Sequence, residues 1–169
     1  MDHNDHLNLL RGGVPEQGGV WADFGSGGGA FTLALAELLG PGAVIYSVDR
    51  DSGALKRQAR MMESRYPEVT AHYMTADFTR SLELPPLDGV VMANALHFVR
   101  KKAGVLAHIQ GYLRPNGRFL LVEYNTDRGN HWVPYPLSYQ TWKHLAQQVG
   151  FSHTELLTTR PSSFLGSCF

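Results

Sequence analysis

The run with the strongest chemical signature is Asp23-Phe24-Gly25-Ser26-Gly27-Gly28-Gly29, set between a short apolar segment and a stretch of helical periodicity. Glycines permit positive φ and remove side chains where backbone must approach a ligand, and the helix that follows offers unpaired N–H groups. Such a turn can hold a carboxylate or a phosphate. A loop that only redirects the chain is the plainer alternative. Gly25, Gly27 and Ala30 also satisfy the dinucleotide pattern G-x-G-x-x-A, and Asp49 follows where an acid that receives ribose hydroxyls is expected. Taken alone, the glycines leave the ligand open.

Among the histidines, His97 is the candidate general base, because a neutral imidazole accepts a proton near neutral pH. Its alternative is a structural place between Leu96 and Phe98 at the start of a helix. His131 lies in a loop, where solvent is its expected surrounding. His3 and His6 have a spacing that suits a metal on a helix, but no third ligand is identifiable and a solvated N-terminus is expected. No metal site and no definite catalytic residue are assigned.

The elements that must position these groups follow from periodicity. Val20 to Phe24 reads as a short buried strand that ends in the glycines, and Phe31, Ala34, Leu35 and Leu38 mark a helix closed by Gly40-Pro41-Gly42. Residues 43–49 (AVIYSVD) repeat the pattern as a strand, with Leu55, Ala59 and Met62 along a second helix. Residues 69–75 and 89–93 are further strands, separated by a loop that contains Pro85-Pro86. Val105, Leu106, Ile109 and Leu113 mark a helix that must stop before Pro115, and Asn116-Gly117 turns the chain into the strand FLLVEY. Trp142, Leu145, Ala146 and Val149 form a last helical face, capped by Gly150. Residues 154–159 and 164–169 are strand-like and joined by Arg160-Pro161-Ser162-Ser163, which predicts a terminal hairpin. Strands alternating with helices imply a doubly wound, mostly parallel α/β sheet covered on both faces, to which the hairpin adds an antiparallel strand.

Whole-chain properties narrow the function classes. A length of 169 residues fits one domain, and 43% apolar with 18% charged residues is ordinary globular composition. Fifteen basic residues balance fifteen acidic ones, so no global positive field favours nucleic acid or acidic lipid. The basic run Arg100-Lys101-Lys102 reads as a solvated helix start without a functional role. The single cysteine, Cys168, rules out an internal disulfide and fits a reducing cytoplasm. No apolar stretch approaches the roughly 20 residues that span a bilayer, and the start MDHNDH lacks the apolar region of a signal peptide.

The segment Asp23-x-Gly25-x-Gly27-x-Gly29 resembles the first motif of class I S-adenosylmethionine-dependent methyltransferases. Val48-Asp49 is similar to the family's acidic end of the second strand and Thr75-Ala76-Asp77-Phe78 to its adenine-side motif. Met92-Ala93-Asn94-Ala95-Leu96-His97 is similar to the segment after its fourth strand. Leu113-Arg114-Pro115-Asn116-Gly117-Arg118, followed by FLLVE, resembles the entry to its fifth strand, with Asn116 in place of a common glycine. The likeness spans Val20 to Tyr124 and is strongest to the type 11 branch, which includes ubiquinone and menaquinone biosynthesis enzymes; the N-terminal helical region is short by comparison.

This resemblance implies a seven-stranded, Rossmann-like sheet with S-adenosylmethionine as cofactor and a small molecule as methyl acceptor. It further implies that Gly25, Ser26 and Gly27 bring backbone to the methionine and ribose parts of the cofactor, with Asp23 shaping the turn. Asp49 is expected on the ribose hydroxyls, Asp77 and Phe78 beside the adenine, Arg50 flanking the same base, and Asn94 on the cofactor through its backbone or amide. The alternatives are a solvated Asp49 and Arg50, an N-capping Asp77 and a turn-forming Asn94. For the whole chain, the alternatives are a non-catalytic cofactor-binding module and a nicotinamide-dependent oxidoreductase. The long connection 125–136 (NTDRGNHWVPYP) exceeds the usual strand-to-helix loop, and Trp132 and Tyr135 on it are expected to wall the acceptor site.

Overall fold

The computed structural model describes residues 1–162 and 165–169. Helix α1 (His3–Arg11) opens the chain on a capping box, with Asp2 and Asp5 each accepting the other's backbone N–H. Strand β1 (Val20–Phe24) runs into the glycine turn and helix α2 (Ala30–Leu39). Strand β2 (Val44–Asp49) leads to helix α3 (Ser52–Arg65), whose N-cap Asp51 accepts from the Gly53 and Ala54 amides. Strands β3 (Thr70–Thr75) and β4 (Leu87–Ala93) follow, then a 3₁₀ turn at Leu96–Phe98 and helix α4 (Lys102–Tyr112). Strand β5 (Leu113–Val122), helix α5 (Tyr139–Gln148) and the short strands β6 (Arg160–Ser162) and β7 (Gly166–Cys168) complete the described chain.

The main sheet is parallel, in the order β3-β2-β1-β4-β5. Its two faces are covered by separate cores. Leu7 and Leu10 of α1 pack with Phe31 and Leu35 of α2, Ile45 and Met62 on one side; Phe24, Leu106, Ile109 and Trp142 pack on the other. Between β1 and β4 the strand order reverses, and in open α/β sheets the crevice beyond the carboxyl ends at such a point is where ligands bind. The glycine turn after β1 and Asn94 after β4 both lie there.

The tail departs from the single seven-stranded sheet. Among the described residues the main sheet has five strands, and β6 and β7 form a separate antiparallel pair. β7 meets the chain only past the end of β5: Glu123 and Phe169 exchange backbone hydrogen bonds, with an isolated bridge between Tyr124 and Cys168. Residues 154–159 hold no regular structure. Residues 154–158 share the lining of a cavity of about 430 Å³ with Arg118 to Val122 of β5. The hairpin therefore starts later than expected, and Phe164 lies outside the described residues. β5 begins at Leu113, paired with Leu87, and then bulges so that Arg118 pairs with Gly89. Asn116 at φ +66 sits in that bulge, a conformation asparagine tolerates better than most residues.

Candidate active site

The turn after β1 is shaped by positive φ at Gly25 (+75), Gly27 (+51) and Gly29 (+86). At Gly25 a Cβ would stand 2.6 Å from the Ala95 Cβ, and at Gly29 it would stand 2.4 Å from Cγ of Gln58. At Gly27 a Cβ would meet nothing within 4 Å. The amides of Gly25 and Ser26 both donate to the Val48 carbonyl, at 2.8 and 3.2 Å, which holds the turn against the end of β2. A cavity of about 310 Å³ lies at this turn, lined by Asp23, Gly25, Ser26, Gly28, Phe31 and Ala93 among others.

Asp23 and Asp49 bracket the turn from different surroundings. Asp23 is 1% exposed and accepts from the Thr32 hydroxyl at 2.6 Å. Burial pushes its carboxyl up to about 7, with the Thr32 bond opposing and the charge of Asp49 adding to the rise. Asp49 accepts the Gly27 amide at 2.7 Å on Oδ2 and the Asp51 amide at 2.8 Å on Oδ1. A carboxylate offers about four lone-pair sites, so acceptor capacity remains for a vicinal diol. Ser26 turns its hydroxyl inward, 2.7 Å from that of Ser47.

At the end of β3, Arg50 and Asp77 form an ion pair, and Thr79 donates to Asp77 Oδ1 through its amide at 2.9 Å and its hydroxyl at 2.7 Å. Burial raises the Asp77 carboxyl, but the Thr79 and Arg50 contacts outweigh it and hold the group below the usual range. Asp77 thus caps a local turn, as its alternative reading had it, and of its roughly four lone-pair sites one, on Oδ2, is left over. Arg50 is paired with it while most of its side chain stays in solvent. Phe78 stacks on Phe24, with ring centroids 6.5 Å apart and planes 4° from parallel. Asn94 turns the chain at φ +52 and donates its amide to the Val122 carbonyl at 2.8 Å. Its side-chain Oδ1 is buried and, among the described residues, has no hydrogen-bond partner.

Beyond β4 lies a buried acid–imidazole pair. His97 is 3% exposed and Glu123 fully buried; Glu123 Oε2 stands 2.8 Å from His97 Nδ1, and Oε1 accepts the His97 amide at 3.0 Å. A carboxylate only accepts, so with Glu123 ionised this contact takes the ring proton on Nδ1 and leaves Nε2 as the second ring nitrogen. Phe98, whose ring lies 4.2 Å from the imidazole, is 61% exposed. The Tyr135 amide donates to the His97 carbonyl at 3.0 Å, and Lys102 Nζ donates to the carbonyls of Val99 and Tyr135. Lys102 is therefore a clamp on the long loop, which corrects its reading as a solvated helix start. Trp132 stands 68% exposed, while Val133 beside it is buried.

Sequence reasoning passed over four residues in this region. Glu123 had a signal, as an acid ending an otherwise apolar strand. Ser47, Gln58 and Phe98 had none, because their roles come from tertiary placement. The N-terminal histidines are also corrected. His3 contacts Glu37 at 2.8 Å, and His6 is buried against the Phe31 ring, its imidazole lowered chiefly by burial.

Comparison with known proteins bears on what this geometry does. The family model described as a methyltransferase domain matches residues 22–119, more than half of the chain. A reducing polyketide synthase from Penicillium is 25% identical over 161 residues; the match takes in 82% of this chain but only 6% of that protein's length. Among solved structures, a putative methyltransferase from Bacillus halodurans aligns at a TM-score of 0.77 with 17% identity, covering 93% of this chain and 72% of its own. An arsenic(III) S-adenosylmethionine methyltransferase from Chlamydomonas reinhardtii reaches 0.74 with 19% identity over 87% of this chain and 56% of its own. The CurJ carbon methyltransferase reaches 0.67 with 19% identity over 91% and 48%. At these identities the structures speak for the fold and the family model for the kinship: this chain belongs to the S-adenosylmethionine-dependent methyltransferases.

Proposed function

We propose that the chain, acting as one domain in the cytoplasm, methylates a small-molecule carbon acid, with His97 as the general base and Glu123 as its positioning partner. The observation that carries this reading is the buried His97–Glu123 pair at the carboxyl ends of β4 and β5, beside the switch point of the sheet. A base of this kind serves an acceptor whose nucleophile must first be unmasked, such as a C–H flanked by carbonyls. A neutral amine already carries its lone pair. The carbon methyltransferase and polyketide synthase among the relatives point the same way.

The residues at the turn fit the cofactor on their own geometry: the Gly27 side is open, and the buried Asn94 Oδ1 lacks a donor. Asp23, Gly25, Ser26, Gly27 and Asp49 would hold its methionine and ribose, Arg50, Asp77 and Phe78 its adenine, and Asn94 would add a polar contact. S-adenosylmethionine supplies, when bound, a methyl carbon made electrophilic by positive sulfur, so the protein contributes orientation, exclusion of water and proton removal. In that division His97 Nε2 would take the acceptor's C–H proton, Glu123 would steady the resulting imidazolium, and the carbon's electron pair would form the bond to methyl as the methyl–sulfur bond breaks and its electrons stay on the departing sulfur of S-adenosylhomocysteine. Tyr135 and Trp132, with Phe98, wall the acceptor.

The test is labelled methyl transfer to a panel of β-dicarbonyl compounds, phenols and amines. We expect transfer to the β-dicarbonyls, and a kcat about 10²–10⁴-fold lower in His97→Asn at unchanged affinity for S-adenosylhomocysteine. Transfer confined to amines, or full activity in His97→Asn, would sink the proposal.

A further inference from the structure

The glycine turn is tied from behind by a buried polar triangle that the proposed reaction does not use. Ser47 Oγ lies 2.7 Å from Ser26 Oγ and 3.0 Å from Gln58 Oε1, and Ser26 Oγ lies 3.3 Å from the same amide oxygen. Ser47 on β2 and Gln58 on α3 are both completely buried. Two hydroxyl protons serve three oxygens. Ser47 donates to Ser26, Ser26 donates to Gln58, and the Ser26 hydroxyl is thereby turned into the protein. The stem of Gln58 also occupies the space a Cβ on Gly29 would take, so one side chain meets the turn at its middle and at its far end.

Gln58 is a poor choice for stability alone. Among the described residues its Nε2 is buried without a hydrogen-bond partner, and a buried donor left unmade costs free energy that an apolar side chain of equal length would avoid. What the amide adds is the acceptor that orients Ser26. With Ser26 so held, the neighbouring Gly27 amide meets Asp49 Oδ2 at 2.7 Å and the outer face of the turn is preset. We infer that Ser47 and Gln58 are positioning residues for cofactor binding, which they serve through Ser26 and Gly29 without touching the cofactor. This rests on the reading that the turn from Asp23 to Gly29 holds the cofactor.

The experiment measures the dissociation constant of S-adenosylhomocysteine and the melting temperature for wild type, Gln58→Met, Ser47→Ala and Gly27→Val. Methionine keeps the length and bulk beside Gly29 while removing both polar ends, and alanine at residue 47 introduces no clash. A positioning role predicts that Gln58→Met and Ser47→Ala each bind about tenfold more weakly, the loss of one oriented hydrogen bond. Gln58→Met should melt no lower than wild type. A merely structural role would instead lower the melting temperature and leave the affinity of the folded protein intact. Wild-type dissociation constants in both buried variants, with binding lost in Gly27→Val, overturn the positioning role only. Retained binding in Gly27→Val overturns the reading of the turn itself. Should Gln58→Met not fold, Ser47→Ala decides alone: a tenfold loss supports the role and an unchanged constant refutes it.

Discussion

Asp23 and Asp49 present the same functional group at the ends of adjacent strands, one buried and the other partly exposed. Asp23 is sealed beneath the turn, its carboxyl raised to about 7 chiefly by burial. Free aspartate ionises near 3.8, so between about pH 4 and 7 the unfolded chain has released a proton that the folded chain still binds. The contribution of Asp23 to stability therefore falls as pH rises through that window and levels off above it. Asp23→Asn, which keeps an acceptor for Thr32, removes this dependence. Thermal melts of the two proteins should diverge in favour of the variant from pH 4 to 7.5, and parallel curves would show that Asp23 gives up its proton as readily folded as unfolded. At this scale, the glycines and the acids were legible because their chemistry is written in residue type and spacing. The Glu123 partner of His97 was not, since the two residues meet only when β4 and β5 lie side by side.

The long connection after β5 shows what an element adds to its residues. Asn130 Oδ1 accepts the amides of Trp132 and Val133, Asp127 accepts that of Ser138, and Lys102 holds the Tyr135 carbonyl, so the loop is pinned at several points. Its two large aromatics are not equivalent. Tyr135 is tied to His97, whereas the Trp132 ring stands in solvent. We therefore expect Tyr135→Ala to raise the acceptor KM several-fold, Trp132→Ala to raise it less, and neither to change affinity for S-adenosylhomocysteine. Steady-state kinetics on an identified acceptor would decide this, and a larger effect at Trp132 would reverse the assignment. Strands β1, β2 and β4 were readable as short apolar runs that end in glycine, charge or asparagine, and β3 as a more polar strand-like run. Helix α1 was read only as a short helical region without bounds, because its leucines stand in a polar opening and its capping box closes with Asp5 in place of the commoner glutamate or glutamine. Residues 154–159 have the composition of a strand but, among the described residues, pair with no other strand, and propensity cannot report a missing partner.

Across the whole molecule, both ends of the chain return to the sheet. α1 joins the core with Leu7 and Leu10, Asp5 pairs with Arg160 at the start of β6, and the chain closes on Glu123 through Phe169. The α/β alternation, and with it the parallel sheet, followed from the sequence because each crossover needs a helix. The strand order did not, yet that order, β3-β2-β1-β4-β5, is what brings the glycine turn, Asp49 and Asn94 to one crevice. No helix among the described residues is long and apolar enough to cross a membrane. The central claim is that this crevice binds S-adenosylmethionine through the turn and Asp49. Calorimetric titration of S-adenosylhomocysteine, with NAD as the competing ligand, tests it most directly on wild type and Asp49→Ala. The account predicts one site on the wild-type chain, no binding of NAD, and a loss of about 1.5–3 kcal/mol in the variant for the missing charged hydrogen bonds. Binding of NAD without S-adenosylhomocysteine, or an unchanged affinity in a folded Asp49→Ala, would contradict it.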